Sequence, residues 1–396
     1  MSDASGKTRH VRCLACLGNA GDPATWSGTQ YYFFQAARKA GFLDVALDLR
    51  PERMRGRRVL WNLLAPFRLE RPGGYQYTDG FLSRLYEQVP AELRGAEVVS
   101  HFQLFPPLAR ARSDGAPFSF YIDATLRRLF EEYGIGRGVG TRTRRRALAR
   151  ERETYHAADR VVTMSRWARD SVVQEYDVPP EKVYTVLPGA NLLDEVVEGL
   201  TEGLDERPIE TDFRPERPFR LGFMGKDFRR KGLRRLVGAA EALAARGRPV
   251  QVSVVGHCPP DLKSHPLVVA HGFIDKSSQV ERFAEVISDS DLGCLVSHAE
   301  ALGISTLEYL RFGVPVLGTA VGGIPDCVPP EAGVLVAATC TPEELADAIE
   351  PLILAPDGYA ERRRAARRIG GRFTWGRAVE EFRRIWRSVE EKAAGE

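Results

Sequence analysis

The chain has 396 residues, more than a single hydrophobic core usually holds, so we expect two domains. Its formal net charge of +3 at pH 7 is too small for electrostatic binding of nucleic acid by the whole chain, and no nucleic-acid partner is expected. Residues 1–10 lack the apolar core of a signal peptide, and no apolar run reaches the roughly 18 residues of a membrane span. The six cysteines lack disulfide or zinc-ribbon spacing, which favours the reducing cytoplasm.

Short apolar runs alternate with helical patterns along the first half of the chain. Predicted strands are 11–17, 45–49, 97–101, 118–122, 160–164 and 182–187, and predicted helices include 29–40, 80–89, 143–157 and 167–176. Alternation of this kind predicts a parallel sheet covered by helices on both faces.

A proline-containing, charged stretch at 207–218 is predicted to be a linker, and the alternation restarts after it. Strands are then predicted at 220–224, 250–255, 292–296, 314–317 and 333–336, and helices include 232–245, 278–288, 305–312, 342–354 and 375–391. The resulting fold class is α/β, with domains at 1–206 and 219–374 and a final helical segment at 375–396. Because ligands of open α/β sheets bind at the carboxyl ends of strands, we expect the site in the cleft between two facing sheets.

The most informative stretch, residues 297–308, joins a predicted buried strand to a predicted helix. Glu300 follows the strand, and Glu308 lies about one turn inside the helix. Between them, the amides of Gly303, Ile304 and Ser305 lie at a helix N-terminus, which attracts anions. A ligand with sugar, phosphate and ribose groups could use the amides and both carboxylates. The alternative is that both glutamates are ordinary surface residues.

A basic loop opens the second predicted domain. Lys226 and Lys231 lie between the end of its first strand and the helix that starts near Gly232. Both ammonium groups could converge on one phosphate, for which lysine is suited as a compact charge. The alternative is a solvated basic loop.

Other candidates follow strands of the first predicted domain. Gly18 and Gly21 belong to a glycine-rich loop that could close over a diphosphate. His101 and Asp123 end the third and fourth strands, where either could contact a substrate hydroxyl. A capping aspartate and a half-buried histidine are equally compatible with the pattern.

The sequence Asp289-Ser290-Asp291 matches a metal-binding pattern of some sugar transferases. It precedes a predicted strand and so lies at the amino end, away from the expected site. We therefore predict no metal site.

Residues 53–71 mix six arginines with apolar residues that include Leu60, Trp61, Leu63, Leu64 and Phe67. Basic amphipathic segments of this kind can lie on anionic membranes, so peripheral membrane contact is a possible partner interaction. An acceptor-side loop or a solvated face is the alternative.

Together these motifs resemble the GT-B glycosyltransferases of family 4, a retaining group. The family's second-domain pattern is matched, in order, by Gly225-Lys226, Lys231-Gly232, the stretch 297–303, Glu308 and Gly322-Gly323. Lys226 replaces the usual arginine, and Asp123 stands where many members carry a histidine that touches the donor sugar. The resemblance implies two Rossmann-like domains and a last helix that crosses back to the first domain.

Residue by residue, the resemblance assigns a nucleotide-sugar site. Lys226 and Lys231 would hold the donor diphosphate, Glu300 the hydroxyls of the transferred sugar, and Glu308 the ribose. The remaining donor-site candidates are the amides of Leu302, Gly303, Ile304 and Ser305, the backbone near Ile274 facing the base, and Gly18 and Gly21. The catalytic candidates are Glu300, Asp123 and Lys231, and those on the acceptor side are His101 and Asp123.

The implied activity is transfer of a sugar from a nucleotide diphosphate donor, with UDP or GDP favoured, to the hydroxyl of a glycan, lipid-linked or small-molecule acceptor. Retention and independence of metals and other cofactors are expected, in bacterial glycan, glycolipid or natural-product glycoside synthesis. The alternatives are a phosphorylase or epimerase of the same fold, and a non-catalytic protein that binds nucleotide sugars or glycans. A cytoplasmic location follows, with the inner face of the membrane as a second possibility.

Overall fold

The computed structural model describes residues 11–395, which form two compact units. The first unit contains the chain up to residue 187 and again from residue 378, and the second contains residues 188–377. None of the described helices combines the length and the apolar character needed to cross a bilayer. The strands are β1 Arg12–Ala15, β2 Gly18–Asn19, β3 Val45–Ala46, β4 Asp48–Leu49, β5 Glu97–Ser100, β6 Phe118–Ile122, β7 Arg160–Thr163, β8 Val183–Thr185, β9 Phe219–Gly225, β10 Val250–Gly256, β11 Val268–Gly272, β12 Leu292–Leu295, β13 Val316–Thr319 and β14 Gly333–Val336.

Helices cover much of the remaining described chain. They are α1 Thr29–Lys39, α2 Arg55–Leu63, α3 Asp79–Tyr86, α4 Leu108–Asp114, α5 Leu126–Glu131, α6 Thr141–Ala157, α7 Arg166–Tyr176, α8 Asp194–Thr201, α9 Leu233–Ala245, α10 Pro260–Lys263, α11 Val280–Ser288, α12 Ile304–Arg311, α13 Ile324–Cys327, α14 Pro342–Leu354, α15 Pro356–Gly370 and α16 Trp375–Gly395. Every predicted strand and helix has a counterpart, with bounds that differ by a few residues.

The first unit is built on a six-stranded sheet with the order β3-β1-β5-β6-β7-β8, in which every pair is parallel. Strands β5, β6 and β7 are buried along their whole length, as expected for a sheet covered on both faces. The predicted strand 45–49 is divided, because Val45–Ala46 pairs with β1 whereas Asp48–Leu49 forms an antiparallel ribbon with β2.

Helix α16 supplies aromatic residues to the first unit's core. The ring of Phe382 lies 5.0 Å from that of Phe33 and 4.7 Å from that of Tyr121. Trp386 packs edge-on against Phe42, and its indole N–H donates to Glu97 at 2.6 Å. This last helix therefore completes the packing around β1, β5 and β6.

The second unit contains a six-stranded parallel sheet with the order β11-β10-β9-β12-β13-β14. The chain starts in the middle at β9, adds β10 and β11 on one side, and then crosses to add β12, β13 and β14 on the other. This is the doubly wound order, whose ligands bind at the carboxyl ends of the two strands where the direction reverses. In this sheet those strands are β9 and β12.

The proline-containing segment 207–218 packs on the second unit. The ring of Phe213 lies 4.8 Å from Phe219 and 5.5 Å from Tyr359. Arg217 makes two hydrogen bonds to Asp291, at 2.8 and 2.9 Å. Its aromatic and ionic contacts fix this stretch against β9 and α15.

Candidate functional site

The loops that follow β9 and β12 are joined at the point where the second sheet reverses direction. The amide of His298 donates to the carbonyl of Arg230 at 2.8 Å. Gly232 has a φ of 77°, and a Cβ at this position would lie 2.2 Å from the carbonyl oxygen of Val296. Only glycine allows this close approach without a backbone shift. The lysine loop and the Glu300 turn, predicted separately from sequence, therefore lie side by side.

Glu300 is held by an arginine that the sequence analysis did not single out. Arg230 donates from Nη1 to Glu300 Oε2 at 2.9 Å and to the carbonyl of Ala299 at 2.7 Å. The hydroxyl of Ser297 lies 3.4 Å from the same carboxylate oxygen. These contacts fix the orientation of the carboxylate, whose side chain remains 12% exposed. The carboxylate is therefore positioned to accept hydrogen bonds from hydroxyl groups of a ligand.

The loop after β13 supports the Glu300 turn from the other side. Gly322 has a φ of 57°, and a Cβ there would come within 1.6 Å of the carbonyl oxygen of Glu300. The amide of Gly323 donates to Ala301 at 3.1 Å, and the hydroxyl of Thr319 donates to Ser297 at 2.7 Å. The glycine pair of the family pattern therefore lies against the protein backbone at Glu300.

Helix α12 begins beside Glu300 without a side-chain cap. Its N-cap residue, Gly303, has a φ of 97°, which leaves the following amides without a capping oxygen from that residue. The first N–H groups of a helix have no intrahelical acceptor and carry the positive end of its dipole. Leu302 and Ser305 are buried on either side of Gly303. With Ile304, they form the turn at residues 302–305 for which the sequence predicts anion binding.

The two lysines of the β9 loop differ in their surroundings. Lys231 lies across the backbone of Gly225, where a Cβ would meet its Cδ at 2.4 Å, and its Nζ donates to Met224 at 3.3 Å. Lys226 is exposed, with its Nζ 5.4 Å from the centre of the Phe273 ring. Lys231 is thus positioned by the strand end, whereas Lys226 is held by a cation–π contact.

Glu308 is almost completely buried, with 1% of its surface exposed, and it forms an ion pair with Lys276. Lys276 follows β11, a strand absent from the sequence prediction, and so do Phe273 and Ile274. Phe273 is largely exposed whereas Ile274 is buried. Lys276 therefore links Glu308, the predicted ribose contact, to the segment after β11 that contains Ile274, whose backbone is predicted to face the base.

The glycine candidates of the first unit lie at the end of β1 and in the ribbon beside it. Gly18 belongs to β2, pairs with Leu49 and has a φ of 114°. The amide of Gly21 donates to the side chain of Asn19 at 2.8 Å. These residues form an ordered turn, and their predicted role at a diphosphate stays a prediction.

His101 and Asp123 follow the adjacent strands β5 and β6. His101 is 2% exposed, packs against Phe33 and Tyr121, and has no hydrogen-bond partner for either ring nitrogen among residues 11–395. Burial lowers the pKa of His101 to about 3, so the ring is neutral near pH 7. Asp123 is half-buried and closer to solvent. Of these two acceptor-side candidates, only Asp123 has an accessible side chain.

We expect His101 to make the protein sensitive to acid. Its folded pKa of about 3 lies below its usual 6.5, so the unfolded chain binds more protons as the pH falls through 6.5. Between about pH 6.5 and about pH 5 this should remove roughly 2 kcal/mol of unfolding free energy. Urea unfolding at the two pH values should show a smaller loss for His101→Leu than for wild type. Equal losses in both proteins would contradict this assignment.

The Asp289-Ser290-Asp291 sequence lies at the amino end of β12, as predicted. Both oxygens of Asp291 accept from Arg217, and Asp289 pairs with Arg220. These carboxylates are therefore already neutralised by arginines.

Sequence reasoning missed two charged residues at this site, Arg230 and Lys276. Arg230 lies within the basic loop already recognised, but its contact with Glu300 depends on β9 lying next to β12. Lys276 could have been found only with β11, whose residues Val269 and Ala270 are exposed and weaken its apolar pattern. The pairing partners of both residues depend on sheet order, which local sequence patterns do not specify.

Comparison with known proteins decides the family. The model of Glycosyltransferase Family 4 matches residues 45–192, and that of Glycosyl transferases group 1 matches residues 218–354. The chain belongs to glycosyltransferase family 4. The resemblance deduced from the second-unit motifs is thereby confirmed, and the first unit is covered as well.

Two solved structures with the same fold confirm the GT-B expectation for this family 4 chain. Sucrose-phosphate synthase from Thermosynechococcus elongatus matches with a TM-score of 0.69 at 17% identity, over 97% of this chain and 100% of that one. HepE from Anabaena, solved in complex with UDP, matches with a TM-score of 0.61 at 15% identity, over 96% of this chain and 100% of that one. At these identities the likeness concerns the fold alone.

Sequence relatives cover a smaller part of this family 4 chain. The D-inositol 3-phosphate glycosyltransferase of Saccharomonospora viridis is 28% identical over 253 residues, which is 60% of this chain and 58% of the relative. The chain therefore spans less than two thirds of the length of the first curated relatives that it matches.

Proposed function

We propose that this protein transfers a sugar from a nucleoside diphosphate donor to a hydroxyl group of an acceptor. The observation that carries the proposal is the geometry around Glu300. Its carboxylate is oriented by Arg230 directly beside the uncapped start of α12, while Lys231 approaches from the adjoining loop. This turn therefore places a carboxylate that can accept hydrogen bonds from hydroxyl groups next to cationic side chains and the uncapped amides of a helix. A sugar diphosphate is the ligand whose groups match this order.

In this proposal the second unit does most of the electrostatic work. The amides of residues 302–305, with Lys231 and Lys226, would stabilise the negative charge that develops on the leaving diphosphate. Glu300 would hold the sugar through its hydroxyls, and Glu308 would hold the ribose after exchanging its contact with Lys276. UDP is the favoured nucleotide, supported by the UDP complex of HepE, and GDP is the alternative.

We infer retention of the anomeric configuration and independence of metal ions from the family motifs. The positive charge at the diphosphate subsite would come from lysines and helix amides, which can do the work that a divalent cation does elsewhere. For retention, the leaving phosphate would accept the acceptor's proton on the same face of the sugar. Bacterial glycan, glycolipid or natural-product glycoside synthesis remains the proposed context, in a cytoplasm that keeps the six buried cysteines reduced.

Calorimetric titration with UDP, GDP, ADP and dTDP tests the donor site. We expect one nucleotide to bind, and Lys231→Ala to weaken its binding by about 10–100-fold, because a charged hydrogen bond to phosphate contributes roughly 1.5–3 kcal/mol. Lys263→Ala removes an exposed lysine of the same unit and serves as the matched control. Failure of all four nucleotides to bind wild type would refute the proposed function.

The stereochemical proposal has a separate readout. The configuration of the product, measured by NMR as soon as turnover begins, should match that of the donor and should be unaffected by a chelator. An inverted product or loss of turnover with chelator would refute retention or metal independence without affecting the donor assignment.

A further inference from the structure

Helix α2 has its apolar side turned away from the core of the first unit. At about 100° per residue, Val59, Leu60 and Leu63 share one side of the helix, whereas Trp61 lies on the other. Trp61 packs against the first unit's core, and its indole N–H donates to the carbonyl of Gly73 at 3.0 Å. No residue of α2 is buried. An amphipathic helix on a globular domain normally faces the core with its apolar side, so this orientation is the reverse.

The apolar surface continues beyond the helix. Phe67 is 85% exposed and Leu69 is 94% exposed. Together with Val59, Leu60, Leu63 and Leu64, these residues form what we call the α2 face. Side chains exposed to this degree stand out from the protein surface and do not line a groove. Exposed apolar residues grouped in this way mark an interaction site more often than isolated ones do.

The α2 face is held in a fixed position. The guanidinium of Arg68 lies 3.6 Å from the centre of the Trp61 ring. Glu70, which ends the segment, accepts from the amides of Arg142 and Thr143 at 2.7 and 3.2 Å, at the start of α6. The contacts of Trp61 with the core and of Glu70 with α6 hold residues 61–70 against the body of the unit. The exposure is thus a property of a built surface and not of a loose loop.

Exposed arginines lie in the same part of the chain, on α2 itself and at the start of α6. Arg55, Arg57 and Arg58 are exposed on α2, and the first turns of α6, to which Glu70 is bonded, add others. The exposed arginines of α6 are Arg142, Arg144, Arg145 and Arg146. Glu70 offsets part of this charge, because its carboxylate accepts from the Arg142 amide and interacts with the Arg142 side chain. The surface therefore combines protruding apolar side chains with an excess of positive charge.

We propose that the α2 face docks on the surface of an anionic lipid bilayer. Its apolar side chains would enter the boundary between headgroups and acyl chains, while the arginines bind lipid phosphates around them. A second copy of the chain is disfavoured, because matching α2 faces would bring arginines against arginines. A protein partner would need a groove shaped to six protruding side chains, whereas lipids rearrange around them.

Vesicle co-sedimentation with the full chain tests this proposal and needs neither donor nor acceptor, so its outcome is independent of the proposed function. We expect binding to phosphatidylglycerol vesicles at low ionic strength, weaker binding with added salt, and little binding to phosphatidylcholine vesicles. The double variant Phe67→Ser/Leu69→Ser should lower the partition coefficient by about tenfold or more, since it removes the two most exposed apolar side chains of the α2 face. Arg57→Gln/Arg58→Gln should lower it as well.

Matched control variants distinguish binding by the α2 face from non-specific adsorption to vesicles. Leu354→Ser removes an exposed leucine of the second unit, and Arg364→Gln removes an exposed arginine there, so both should bind vesicles as wild type does. The variants alter exposed side chains, and unchanged thermal melting would verify that each is folded. Failure of the wild-type protein to bind phosphatidylglycerol vesicles would overturn the proposal. So would an apolar double variant that binds normally, or wild-type self-association that this variant abolishes, which would assign the α2 face to a second copy.

Discussion

Glu300→Gln is expected to lower kcat/KM about a hundredfold while leaving the affinity for the free nucleoside diphosphate unchanged. Glutamine keeps the size of the side chain but loses the charge that orients it against Arg230, 2.9 Å away. Hydrogen bonds to a charged group contribute roughly 1.5–3 kcal/mol each, and a sugar offers more than one hydroxyl. Because a free nucleotide has no transferred sugar, calorimetry and turnover separate the two roles.

Glu331→Gln provides the matched control for Glu300. It neutralises a half-exposed glutamate of the same unit whose arginine partner, Arg372, lies 3.7 Å away at the surface. We expect wild-type turnover from it. A Glu300→Gln enzyme that is fully active would remove Glu300 from the site, whereas one that loses nucleotide affinity equally would point to collapse of the whole turn.

Gly322→Ala is expected to destabilise the second unit by about 2–4 kcal/mol and to abolish turnover. Its added Cβ would meet the carbonyl oxygen of Glu300 at 1.6 Å, and its φ of 57° is itself unfavourable for alanine. The backbone carbonyl of Glu300 cannot rotate away from the new Cβ as a flexible side chain could, so the backbone at Glu300 must shift. Thermal unfolding, followed together with nucleotide binding, would detect both consequences.

Gly247→Ala separates the effect of an unfavourable φ from the effect of the close contact with Glu300. Gly247 also has a positive φ, 74°, but no atom lies within 4 Å of the position of its Cβ. This variant should lose only about 1 kcal/mol and retain full activity. Equal stability losses in the two variants would show that the contact with Glu300 is unimportant.

The α/β alternation and the strand-end residues were predictable because each depends on a local pattern. Buried parallel strands appear as short apolar runs, and ligands of such sheets bind at the carboxyl ends, which made Glu300 and Lys231 candidates from sequence. The contact between Arg230 and Glu300 was not predictable. It joins residues 70 positions apart and requires β9 and β12 to be neighbours.

Other features that local patterns do not specify have similar physical causes. Strand β11 is at the sheet edge, where solvent-facing residues dilute the apolar pattern. Prolines and charges dominate the predicted linker 207–218, and the packing of Phe213 in it depends on Phe219 and Tyr359. The burial of His101 depends on Tyr121 of the adjacent strand and on Phe33 of α1. In each case the deciding partner lies far away in sequence.

The position of α16 has a consequence for biosynthesis. Phe382 and Trp386, which pack on Phe33 and Phe42, are translated only after the entire second unit has been made. On the ribosome, the second unit can bury its core as soon as it emerges, whereas the first must wait with those aromatic rings uncovered. The unit synthesised first is therefore the one completed last, a reversal of the usual vectorial order in which N-terminal domains mature first.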